Sequence, residues 1–547
     1  MGPRFGGDGP AAASGARPIF WVVLGLVVLV ALSEGGFALL KARLQARAAA
    51  SEQAAKGRAE RVKTVAPVAL APLPVRSPLV EREGRDEFGY PRSYVDLAAL
   101  RSLVGRAKYA ELTEYAEDLE RRYEADFHAE YLPRAVAEAF DSPEGALDGR
   151  LDAWVTASPT SFAPLLARGT HHLAKGRAAR GGDTALKTDA TNFTAMHQEF
   201  ELARTDLKRA LVLSPKVVVA LRQLMSIAYV GGSRAEFEAF RARAFELCPA
   251  CFQPRAIEQF ALEPRWGGSY RAMKSAAAAA PVADNAKLRL LPGYAEIDRA
   301  GDFVRSEQLE RALEHVERAC KLGDHVDFLL EKADILERQK NAEGALPILK
   351  RAFELAPSDA RVLLALTRAE VVLKDYRTAF LNLSAALRIT PTEGEAARLL
   401  PSVVGGLVEV GWAAHEAGRE NEAIDALDEA AELRLSSDVE KRRTEVLTSG
   451  FHGTDAELAE LEHTATNSPH DFGSHVRLDY ALSTRHAWAR ILEMWNRYVG
   501  DNPDDARAYR ERAGTLMQLG KRNEARADTV RACELGSSAG CSLSQRF

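Results

Sequence analysis

Proline returns along this chain at a fixed step of 34 residues. Pro215 is followed by Pro249, Pro357 by Pro391, and Pro469 by Pro503. Small residues keep the same step: Ala345 is matched by Ala379 and Ala352 by Ala386. Gly418, Ala423 and Ala430 recur three periods later as Gly520, Ala525 and Ala532. Proline lacks an amide hydrogen and clashes with the preceding turn, so a proline behind each apolar-periodic stretch ends a helix there. Alanines seven apart on a helix let a second backbone approach closely. The pattern therefore specifies short antiparallel helix pairs, repeated and stacked.

A 34-residue period with alanines inside a helix pair and proline behind it resembles the tetratricopeptide repeat. The expected fold class is all-α, a TPR-like α-α superhelix (helical solenoid) with one N-terminal transmembrane helix. Stacked pairs of this kind curve, and the concave repeat face is a surface for a protein or peptide partner. The first helix of each repeat would line that face, which makes Arg361, Arg368, Arg507 and Arg510 contact candidates. Near Pro469 and Pro503 the proline is kept, but Trp495 and Tyr498 stand where small residues are expected.

Charge excludes one class of partner. The net charge is −5 over 547 residues, and residues 41–63 alone carry seven basic against two acidic side chains. The remainder holds 65 basic and 75 acidic residues, the opposite of the clustered positive charge that nucleic acid requires. The sequence contains no GxGxxG, P-loop, HExxH or GxSxG. No catalytic, cofactor-binding or metal-binding residue is assigned, no cofactor is expected, and a non-enzymatic scaffold is the reading.

Residues Ile19 to Leu40 read IFWVVLGLVVLVALSEGGFALL. As a helix these reach roughly 33 Å, enough for a bilayer core of about 30 Å. Glu34 interrupts the run, and Ala31-Leu32-Ser33 offers the small-x-small pattern of a signal-peptide cleavage site. A membrane anchor is the preferred reading because a basic helix-forming stretch follows directly. The excess of basic residues after the span favours a cytoplasmic body, whereas disulfides would imply an oxidising compartment.

The expected organisation is a tail at 1–18, a transmembrane helix at 19–40, and a basic helix with a proline-rich linker at 41–92. A TPR-like helical domain follows at 93–285 and a tetratricopeptide array at 286–547. Within the first of these, spaced marks stand out: FDSP at 140–143, Trp154, SPTSFAPLLARG at 158–169, Arg180-Gly181, Asp206-Leu207 and EPRWGGSYRAM at 263–273. With these marks the segment from about 97 to 280 resembles the bacterial domain of unknown function 4034 family. That resemblance implies a helical, repeat-like domain and no assigned activity.

Arg168, Arg180, Arg265 and Trp266 carry an alternative: guanidinium donors and an indole face gathered around a carboxylate or phosphate. The same residues suit helix ends, with glycine caps and a domain-closing turn. Cys248-Pro-Ala-Cys251 has the spacing of a redox pair or of half a zinc site, or of a structural disulfide. His171-His172 reads as a helix surface without a third metal ligand. Cys533 and Cys541 resemble the eight-spaced cysteines of Sel-like repeat proteins, which implies a bridge between them.

Overall fold

The computed structural model describes residues 77–547 except 183–187, 391–393, 435, 536 and 545–547, and not the side chains at 538, 541 and 542. The expected span 19–40 and the basic helix at 41–63 lie outside these residues. Among the described residues, no helix is long and apolar enough to cross a membrane.

The fold is helical almost throughout, and the repeat is visible in the helix boundaries. Val326–Arg338 and Ala360–Val372 begin 34 residues apart, as do their partners Ala342–Leu355 and Tyr376–Ile389. Phe472–Ser483 and Ala506–Gln518, with Trp488–Asp501 and Arg522–Glu534, repeat the spacing. The alanines do what the period requires: Ala312, Ala319, Ala345, Ala352, Ala379 and Ala386 are all fully buried. In the bulky copy, Tyr498 takes the alanine position and packs on Phe472 and His475, while the Trp495 indole N–H donates to Asp479 at 2.6 Å.

A turn that no sequence pattern announced joins the helices of eight of the pairs. Ala107, Gly232, Glu307, Lys340, Lys374, Gly418, His486 and Gly520 all have positive φ, each two residues before a second helix. The next amide donates back to a carbonyl of the first helix: Asn341 to Leu336, Asp375 to Glu370, Lys108 to Leu103. This is the Schellman arrangement, whose left-handed position glycine fills without strain. Here lysine, glutamate, alanine and histidine occupy it five times.

The stretch assigned to the linker as far as residue 92 is folded from Leu79 onward. Leu79–Val80 pairs antiparallel with Tyr94–Val95. Between them, Phe88 and Tyr90 enter an apolar cluster with Phe252, Tyr294 and Phe328. Two aromatic side chains and a hydrogen bond from the Tyr90 hydroxyl to Glu130 (2.6 Å) hold the strap down. The cluster also runs across the expected boundary at 285/286.

The chain also returns on itself. Helix Leu97–Gly105 packs against helix Tyr376–Ile389, and one core extends from Leu97 and Leu100 to Leu383, Ala386 and Ala430. Arg106 donates to Glu534 at 2.9 Å, linking positions 428 residues apart.

Candidate functional site

Helices from three separate parts of the array bring a set of cations together. Helix Tyr131–Ala139 carries Arg134 and helix Val218–Val230 carries Arg222, with Arg361 on Ala360–Val372. Buried Tyr294 lies within the electrostatic reach of all three and of Asp327. Arg361 donates to Asp327 at 2.9 Å and to Asp359 at 2.6 Å, yet 58% of its side chain stays exposed. Desolvation opposes the charge on Asp327, but Arg361 prevails and holds that carboxyl down at about 2. Burial pushes neighbouring His325 down to about 4, so at neutral pH its ring adds no charge.

Arg134 is satisfied on two sides, by Gln253 Oε1 and by Glu138 Oε1, each at 2.5 Å. Arg222 differs. Among the described residues its one hydrogen bond is a long one, 3.4 Å to the amide oxygen of adjacent Gln223; its Nε, like that of Arg134, is buried without an acceptor. No ion pair to it is found among the described residues. Burial, reinforced by the charge of Arg134, lowers its pKa to about 10. Arg168, beside Asp206 and Asp152, is by contrast held up by its carboxylates, whereas Arg255, which donates to the Pro249 carbonyl, is lowered by burial as Arg222 is. Arg134 and Arg222 share the wall of a narrow pocket with Tyr123, Glu130, Pro133, Val218, Val219 and Gln253.

Of the four repeat arginines expected to be contacts, Arg361 remains open. Arg368 bridges Glu337 and Glu395. Arg507 binds Asp425 and Asp505, both at 3.0 Å, and Arg510 is buried against Asp428, Glu432 and Glu511. Arg507 and Arg510 thus tie helix Ala506–Gln518 to helix Glu420–Leu433. The signal was present in IDALDEAAEL, where Asp425, Asp428, Glu429 and Glu432 share one helix face.

The alternative set does not converge. Arg168 grips Asp206 with Nε and Nη2, at 2.7 and 2.8 Å, and reaches Asp152 with Nη1. Its neighbour Gly169 is no helix cap but lies mid-helix, where a Cβ would fall 2.9 Å from Leu207. Arg180 does stand at a helix end, with Gly181 at φ +75° behind it. Arg265 binds Glu263 at 2.5 Å, and Trp266 meets Tyr229 edge-on at 5.2 Å. The PRWGGS element is a turn between helices. A Cβ on Gly268 would sit 2.0 Å from the Leu262 carbonyl, and Ser269 caps the next helix.

Cys248 and Cys251 form a disulfide, packed in a buried cluster with Tyr123 and Val218. Cys533 is disulfide-bonded too; the side chain of Cys541 is outside the described residues. His171 is fully buried rather than on the surface, with its ring nitrogens 2.5 Å from the Ser142 carbonyl and 2.8 Å from Asp148. The FDSP mark is thus explained by a contact inside the helical body. Among the described residues no group of His, Cys, Asp and Glu has a metal-holding arrangement.

No family model matches the chain, and no curated protein matches it either. Among solved structures, it is similar to YrrB, a TPR protein with an unusual peptide-binding site, at 14% identity; the match covers 44% of this chain and 97% of that one, with a TM-score of 0.20. Pseudomonas aeruginosa pilF aligns at 17% identity over 38% of this chain and 90% of its own, with a TM-score of 0.25. The TPR domain of P58(IPK) aligns at 14% over 79% and 97%, with a TM-score of 0.22.

Proposed function

We propose that this chain is a membrane-anchored, non-enzymatic scaffold that holds a polypeptide partner on the concave face of its helical repeats. The observation that carries the reading is the cation set on the first helices. Arg222 has no carboxylate, and Arg361 is more than half exposed even with two. Arg510, by contrast, is enclosed by acids. The alternative of a small-ligand or enzymatic centre around Arg168, Arg180, Arg265 and Trp266 loses its support, since those side chains are engaged separately.

Anchoring rests on the apolar run 19–40 and the basic stretch behind it. The disulfides support a body on the oxidising side of the membrane. A C-terminal alkaline phosphatase fusion should be active and a fluorescent-protein fusion dark; the reverse result places the body in the cytoplasm.

The scaffold reading is tested by photo-crosslinking in cells. A benzophenone amino acid at position 361 should form adducts with another polypeptide, and one at Leu381, 63% exposed on a second helix, should not. Absence of adducts at 361, or equal labelling at both, refutes it.

A further inference from the structure

We infer that a cleft beside helix Tyr109–Ala125 binds an alkylammonium group, with Glu120 and Glu124 as its counter-charges. The inference is independent of the scaffold reading: the cleft lies on the second helix of its pair, and local geometry alone carries it.

Acids recur on one face of this helix at Glu117, Glu120 and Glu124. Glu120 is the most deeply buried of them, 4% exposed, and neither of its oxygens has a hydrogen-bond partner. The nearby cations are turned elsewhere. Arg121 donates to Asp118 at 3.1 Å, and the Lys216 ammonium is 3.8 Å from Glu124. Glu117 accepts from the Ser161 hydroxyl at 2.8 Å. Glu124, the charged neighbour that acts on Glu120, shares its sign. A desolvated carboxylate without a cation is costly, and an entering cation offsets that cost.

The acids share a cleft with Ser161 and Phe162, just before helix Ala163–Arg180, and with Leu213 and Ser214 at the end of helix Ala190–Leu213. It encloses about 230 Å³, where one water needs only about 10–15 Å³. Its acceptors come from three elements, which suits the three donors of an ammonium better than a planar guanidinium. The negative end of helix Ala190–Leu213 favours a cation. Phe162 and half-buried Leu213 suit an alkyl stem. Among the described residues no acidic group has a metal-holding arrangement. The Glu120 oxygens are covered; the terminal torsion of glutamate is soft, and a turn about it presents one to the ligand.

Burial, with Glu124 adding to it, pushes Glu120 up to about 8. At pH 7 it is mostly protonated, so capture of an ammonium expels that proton. The ligand stays charged to pH 9, and binding should tighten from pH 6 to pH 9.

The test is calorimetric titration of the full chain in detergent at low salt and pH 8. The probes are 1,4-diaminobutane, an acetylated, amidated Ala-Lys-Ala peptide, and calcium chloride. An amine should bind; preference for the diamine identifies a free amine as the source, and preference for the peptide a lysine side chain. Glu120→Gln should weaken that binding by at least about tenfold. Glu124→Gln should give a smaller loss, and Glu314→Gln, an exposed acid on helix Leu309–Cys320, none. Glu120→Gln should melt no lower than the parent, which separates lost binding from lost folding. At pH 7 the binding heat of the parent should depend on the ionisation enthalpy of the buffer, and that of Glu120→Gln should not. Binding of neither amine, equal binding by Glu120→Gln, or tighter binding of calcium overturns the inference. If an amine binds through Glu120 while position 361 yields no crosslink in cells, the cleft stands and the scaffold reading falls; the converse leaves the scaffold without this cleft.

Discussion

Glu120 shows how a single side chain can set the pH response of the fold. It is 4% exposed and neither carboxylate oxygen has a hydrogen-bond partner. Burial, with Glu124 adding to it, pushes its pKa up to about 8. The unfolded chain titrates near 4, so the neutral acid favours the fold fully below that pH, and the contribution is lost as pH rises toward 8. Replacing it by a neutral isostere removes the penalty: Glu120→Gln should exceed the parent in stability by on the order of 2 kcal/mol at pH 8 and by nothing at pH 4. Urea melts at the two pH values check this. Gly268 is a steric counterpart. With the Leu262 carbonyl 2.0 Å from any added Cβ, Gly268→Ala should cost about 2–4 kcal/mol by steric overlap, whereas Gly181→Ala, in open space but at φ +75° and ψ −178°, should cost about 1–3 kcal/mol from backbone strain alone. The glycine pair in PRWGGS was visible in the sequence as a mark; that it answers to a backbone contact was not, because the partner carbonyl belongs to a helix end whose position only packing decides. Arg222 was equally hidden: nothing in LRQLMSIAYV distinguishes an arginine with a carboxylate from one without.

At the scale of the helix pair, the sequence was legible where chemistry is obligatory and silent where it is optional. Prolines and alanines betrayed the period because few residues can replace them. The left-handed turn residue remained unseen because Lys340, Lys374, Glu307 and His486 fill a place that glycine marks only at 232, 418 and 520. Those substitutions leave strain in the turn. Lys374→Gly should therefore stabilise the chain by about 0.5–1 kcal/mol, and Gly520→Ala, which meets no neighbour, should destabilise it by about 1 kcal/mol. Thermal melts of both variants at fixed concentration decide the point. The acids of helix Glu420–Leu433 illustrate a different failure. Amphipathic periodicity distinguishes polar from apolar, and cannot tell a face toward water from one toward Arg377, Arg443, Arg507 and Arg510.

For the whole described body, the boundary expected at 285/286 is crossed by packing. The apolar cluster shared by helices Leu97–Gly105 and Tyr376–Ile389 makes the first pair depend on a helix almost three hundred residues later. Leu383→Ala, at a fully buried position, should cost about 2–4 kcal/mol. Its signature is non-local: amide hydrogen exchange in 97–105 should accelerate, while 488–501, in a separate cluster around Trp495, should change little. Acceleration confined to 376–389 would show the two helices to be independent. The pairing of Arg106 with Glu534 adds a mechanical corollary. Repeat arrays with free termini lengthen like a spring when something pushes between their coils. An array tied to its own beginning by an ion pair resists such lengthening, so under the scaffold role proposed above a thick guest would have to break that pair first, and girth would join chemistry as a criterion of admission.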